Sequence, residues 1–86
     1  MRPHEVILYP LMTERSVYMI ENENKLVFIV NRRANKHEIA RAVRELYDVE
    51  VDRVRTLISP RGLKKAFVKL TEGHNASDVA IRLGIL

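Results

Sequence analysis

Residues 53–70 read RVRTLISPRGLKKAFVKL, and the reading of this stretch decides the fold. Two runs with strand-like alternation flank Ser59-Pro60-Arg61-Gly62. Proline presets φ for the second position of a tight turn, and glycine suits the last. The stretch therefore predicts a β-hairpin. Its charge is one-sided: Arg53, Arg55, Arg61, Lys64, Lys65 and Lys69 occur with no Asp or Glu between them.

Alternation sorts the hairpin into two faces. Val54, Thr56 and Ile58, with Ala66, Val68 and Leu70, form a small and apolar set that should meet a helix. Arg53, Arg55, Lys65 and Lys69 then share the other face, with Leu57 and Phe67 among them. Phe67 could stack on a nucleobase there, or simply pack.

Upstream, Asn35 and Glu38 have the spacing of a helix capping box. Ile39, Val43 and Leu46, with Ala42 beside them, make an apolar stripe at helical period. Arg41 and Glu45 can pair at i, i+4. This predicts the main helix, ending near Tyr47. Before it, Asn31-Arg32-Arg33-Ala34 is a polar connection, and Arg32, Arg33 and Lys36 form a second basic cluster at the helix entrance. Lys25–Val30, KLVFIV, is apolar on both faces and predicts a central strand.

Nearer the start, Val6–Tyr9 predicts a short edge strand that stops at Pro10. Thr13 caps a helix expected from Glu14 to Glu21, with Val17 and Ile20 inward and Met12 stapling against Val17. Asn22-Glu23-Asn24 breaks it. In the tail, Asn75 with Asp78, Val79 with Leu83, and Gly84 predict a short final helix. The expected fold class is α+β, in three layers of helix, sheet and helix, formed by one domain over residues 1–86.

Composition points to the partner. Residues 31–70 hold eleven Lys/Arg against five Asp/Glu, a net +6, whereas residues 1–30 and 71–86 are each −1. A basic patch concentrated in the middle of the chain is the footprint of a polyanion. The absence of cysteine excludes disulfides and thiolate metal sites. The spacing of His4, His37 and His74 matches no compact ligand motif, so no metal or other cofactor is expected. The carboxylates carry no recognisable acid/base motif and the glycines are isolated, so no enzyme is expected either. The N-terminal MRPHEVILYP lacks the apolar run of a signal peptide or membrane span, and no direct membrane insertion is expected.

Four pieces carry a resemblance: YPLMTERS at 9–16, NKLVFIVNRRANKHEIARAVRELYDVEV at 24–51, VRTLISPRGLKKAFVKL at 54–70 and DVAIRLGIL at 78–86. In this order and spacing the chain resembles the L-twenty-three family of universal large-subunit ribosomal proteins, in its archaeal form. The resemblance implies a four-stranded antiparallel sheet in the order 1-2-4-3, with the first and central helices on opposite faces. It implies a cytoplasmic protein of the large ribosomal subunit that binds large-subunit ribosomal RNA beside the polypeptide exit tunnel, among neighbouring ribosomal proteins. It also implies transient docking of the signal recognition particle and the protein-conducting channel. RNA-contacting positions are drawn from Arg32, Arg33, Lys36, Arg55, Thr56, Lys64, Lys65 and Lys69. The docking positions fall on Glu14 and on Tyr47-Asp48.

The sequence departs from related forms in three places. Only Ser59–Leu63 separates the hairpin strands, where bacterial members carry a long loop into the tunnel. The chain starts directly at the first strand, without the basic N-terminal extension of eukaryotic members. Arg55 stands where bacterial members commonly have asparagine. A rival reading is a small regulatory α+β module that binds a metabolite or a protein partner and is basic by chance.

Overall fold

The computed structural model describes all residues, 1–86. Its elements are α1 (Pro3–Val6), β1 (Ile7–Pro10), α2 (Glu14–Glu23), β2 (Lys25–Val30), α3 (Lys36–Tyr47), β3 (Val51–Ile58), β4 (Lys64–Leu70) and α4 (Ala76–Arg82). The four strands form one antiparallel sheet in the order β1-β2-β4-β3. The fold is α+β, as the sequence predicts. The hairpin β3–β4 closes with Gly62 at φ +82°, where its Ser59 carbonyl accepts the Gly62 N–H at 2.9 Å.

Register assigns every strand residue a face. Leu26, Phe28 and Val30 of β2 stand opposite Val68, Ala66 and Lys64 of β4, which in turn face Val54, Thr56 and Ile58 of β3. The apolar members of this set other than Ile58 join Ile39, Ala42 and Val43 of α3 and Ala76, Val79 and Ala80 of α4 in the main core. Val27 and Ile29 point the other way. They are buried too, but under α2, whose Ser16, Met19 and Ile20 are its buried residues. The packing agrees with helices on both faces.

Local chemistry explains the helix ends. The Ser16 N–H donates to Thr13 Oγ1 at 3.1 Å, and the Thr13 N–H donates to Ser16 Oγ at 2.8 Å. Ser16 is buried at no cost in lost hydrogen bonds, because its hydroxyl also donates to the Leu11 carbonyl at 2.9 Å. The capping box of α3 forms as read: the Glu38 N–H donates to Asn35 Oδ1 at 2.8 Å, and the Asn35 N–H to Glu38 Oε1 at 3.0 Å. Arg41 pairs with Glu45 at 3.1 Å.

Asn24 does more than break a helix. It ends α2 in the left-handed conformation, φ 54°, which asparagine tolerates. Its Oδ1 accepts the Ala76 N–H at 2.7 Å, and its Nδ2 donates to the His74 carbonyl at 2.9 Å. One side chain thus ties the start of β2 to the start of α4.

Several expectations are corrected. Val6 belongs to a helical turn, not to the edge strand; the Arg2 carbonyl accepts its N–H at 3.2 Å, and Pro3 suits the first turn. β1 consequently starts at Ile7 and includes Pro10, which an edge strand accommodates. α2 runs two residues beyond Glu21. Met12 is 62% exposed and does not staple the helix. Leu46 is 41% exposed; Tyr47 fills the last inward position of α3 by stacking on Phe28, with ring centroids 5.7 Å apart. Ile58 lies beyond the reach of α3 and is exposed. At α4, Asn75 caps through the Ser77 N–H at 2.7 Å, and Asp78 does not reciprocate.

Candidate nucleic-acid interface

The face beneath α2 is a grid of three strands. Lys25, Lys69 and Arg53 lie side by side, then Val27, Phe67 and Arg55, then Ile29, Lys65 and Leu57. α2 covers only the β2 column. The β4 and β3 columns stay open: Arg53, Arg55 and Leu57 are exposed, and Lys65, Phe67 and Lys69 are partly so. No carboxylate of the three strands stands on this face.

Lys25 of β2 is paired with Glu23, whereas the cations of β3 and β4 on this face make no ion pair. The ion pairs of the molecule are Lys25–Glu23, Arg41–Glu45 and Arg44–Glu50. Arg53, Arg55, Lys65 and Lys69 therefore stand without an ion-pair partner, as do Arg32, Arg33 and Lys36, although Lys69 shares a shallow pocket with Glu21, Glu23 and Glu72. An unpaired Lys or Arg that neutralises a phosphate releases counterions and adds affinity.

The second cluster meets the hairpin at one end of the sheet. Val30 pairs with Lys64, which brings the β2–α3 connection beside the β3–β4 turn. A β-carbon on Gly62 would lie 3.6 Å from Nη1 of Arg32, so the Arg32 guanidinium sits against the turn that also carries Arg61. The basic surface thus runs from this end onto the open face.

Two of the expected RNA positions stand apart from that face. Thr56 and Lys64 have the register of the helix-covered side. The Lys64 ammonium donates to the Ala34 carbonyl at 2.6 Å, which ties the hairpin to the connection before α3. The alternation in the sequence already puts Thr56 on the helix side and leaves Lys64 off the basic face; only the resemblance groups both with the RNA-contacting positions.

A groove of about 270 Å³ runs between α2 and the open face. Leu11, Thr13, Arg15 and Met19 line one side, and Leu57, Lys65 and Phe67 the other. Arg15 drew no attention in the sequence. Only the packing of α2 over β2 shows that it faces the hairpin.

The Ribosomal protein L23 family model matches residues 5–77. The chain belongs to this family. It is accordingly a ribosomal protein of the large subunit, with RNA binding and translation as its setting, and its family is structural and not catalytic. Against that background the positions Glu14, Tyr47 and Asp48 take on interest. Glu14 is exposed in the first turn of α2. Asp48 is exposed and closes α3 in the left-handed conformation, φ 55°. Tyr47 is half-buried against Phe28, and burial pushes its hydroxyl up from the ordinary value of 10.0. Arg82 of α4 donates to the Tyr47 carbonyl at 3.0 Å. Glu14 and the Tyr47-Asp48 pair therefore sit on helices packed against opposite sides of the sheet.

Proposed function

We propose that this member of the L23 family is a single ribosomal RNA-binding domain of the archaeal form, placed beside the polypeptide exit tunnel. The observation that carries this reading is the open face of β3 and β4, where Arg53, Arg55, Lys65 and Lys69 stand without ion pairs. Arg55, Lys65 and Lys69 hold phosphates from this face. Arg32, Arg33 and Lys36 extend the contact around the end of the sheet, and Thr56 and Lys64 support it from the other side of the hairpin. The short Ser59–Leu63 turn anchors the protein and does not reach into the tunnel. Neighbouring ribosomal proteins complete its surroundings in the cytoplasmic ribosome.

The same protein offers Glu14, Tyr47 and Asp48 to factors that meet the nascent chain, the signal recognition particle and the protein-conducting channel. The exposed carboxylates of Glu14 and Asp48 suit basic partners, and half-buried Tyr47 positions Asp48 at the end of α3. The test is whether the protein stays with large ribosomal subunits through sedimentation in a graded salt wash. Retention at moderate salt and release at high salt is expected. Free protein at every salt concentration would overturn the reading.

A further inference from the structure

We infer that the groove between α2 and the hairpin receives one unstacked nucleobase of single-stranded RNA, laid flat on the Phe67 ring. The inference rests on the reading of the open face as an RNA surface, and it names what the apolar part of that face is for. Cations alone explain phosphate contacts. They do not explain why Phe67 sits at the centre of the grid, with Val27 on one side and Arg55 on the other, only partly covered. Nor do they explain Leu57, 43% exposed next to Lys65.

An aromatic ring on a central strand of an open sheet, ringed by cations, is the arrangement that stacks bases while phosphates pair with Lys and Arg. Arg55 lies directly across from Phe67, and Lys65 is the next residue of β4 on the same face. A nucleotide whose base covers Phe67 therefore has a cation within one residue step on two sides. The groove is smaller than the roughly 300–1,000 Å³ usual for small-molecule sites. Its open side and its single aromatic suit one planar group. A base inside a duplex is already stacked on its neighbours, so the occupant comes from a loop, bulge or end.

The walls also limit what the site reads. The hydroxyls of Thr13 and Ser16 are occupied by their own helix cap. The groove is left with few groups to query a base edge, so stacking here tolerates any base.

Two measurements test this. In assembled large subunits, a photo-crosslinking phenylalanine analogue at position 67 should attach to ribosomal RNA at an unpaired nucleotide. Attachment to a protein, attachment to a paired nucleotide, or none, overturns the inference. In parallel, Phe67→Leu should weaken binding to large-subunit ribosomal RNA about tenfold, while the salt dependence keeps its slope, because no phosphate contact is lost. Phe67→Tyr should restore affinity. Undiminished affinity of Phe67→Leu overturns the stacking site alone, provided the wild-type protein binds with steep salt dependence. Wild-type binding that ignores salt overturns the RNA reading itself.

Discussion

Replacing Arg55 or Lys65 by alanine should change how RNA binding responds to salt more than it changes anything else. Each phosphate neutralised contributes a slope of about −0.9 to the logarithm of affinity against the logarithm of salt. A fourfold rise in salt then costs about 3.5-fold per contact. Arg53, Arg55, Lys65 and Lys69 on the open face, with Arg32, Arg33 and Lys36 at its end, are seven unpaired cations. If all seven engage, the same rise costs several thousandfold, on the order of 10³–10⁴. Arg55→Ala and Lys65→Ala should each lower the slope by about one, and the double variant by about two, since each loses a separate phosphate. Arg55 is exposed and Lys65 partly exposed, so the fold should tolerate both changes. Fluorescence anisotropy of labelled large-subunit ribosomal RNA, read at several salt concentrations, gives the slopes directly. Lys64→Met is the internal contrast. Its ammonium is committed to the Ala34 carbonyl, so the loss should appear chiefly as about 1.5–3 kcal/mol of stability, with a smaller change in slope than Lys65→Ala gives. Equal slopes for the wild type and for the Arg55, Lys65 and double variants would refute the argument.

Asn24→Ala should destabilise the protein by about 3 kcal/mol, from two lost hydrogen bonds and a left-handed conformation that alanine resists. Asn24→Gly should cost about 2 kcal/mol, because glycine keeps the conformation; urea denaturation midpoints rank the two, and the reverse order would count against the tie. For Tyr47, burial favours the neutral phenol in the fold, so its raised pKa stabilises fully below the unfolded value of about 10 and that contribution disappears as pH climbs through the folded value. Tyr47→Phe should flatten this alkaline loss, seen as a smaller difference in denaturation midpoint between neutral and strongly alkaline pH than the wild type shows. Glu14→Lys, on an exposed first-turn position, should reduce recruitment of targeting factors to ribosomes while leaving RNA affinity intact; unchanged recruitment in a co-sedimentation assay removes Glu14 from the docking site.

What the sequence disclosed was whatever depends on residues close along the chain. The Pro-Gly turn, the Asn35–Glu38 box and the doubly apolar run Lys25–Val30 each write their structure locally, and each formed as read. Period-two alternation likewise sorted Arg53, Arg55, Lys65 and Lys69 onto one face, which is the main part of the candidate interface. What it did not disclose depends on contacts far apart in sequence. Asn24 looks like a helix breaker until Ala76 and His74 come beside it. Lys64 looks like one more free cation until Ala34 takes its ammonium. Leu46 fits the helical stripe, yet the ring of Tyr47 takes the place over Phe28.

The asymmetry of cover explains why the candidate interface lies where it does. α1, α3 and α4 together close one side of the sheet around the main core. The other side has only α2, whose ten residues pack mainly on β2 among the strands. β3 is moreover an edge strand, so an open apolar face there would invite pairing with another chain. The cations of β3 and β4 resolve that conflict, since they keep the face solvated and make self-association unfavourable. In the proposed RNA contact, phosphates would relieve their mutual repulsion on one surface and the RNA would cover the apolar side chains between them. On that reading the same residues protect the uncovered half of the sheet in the free protein and suit it to a polyanion. That is why removing them should disturb RNA binding before it disturbs the fold.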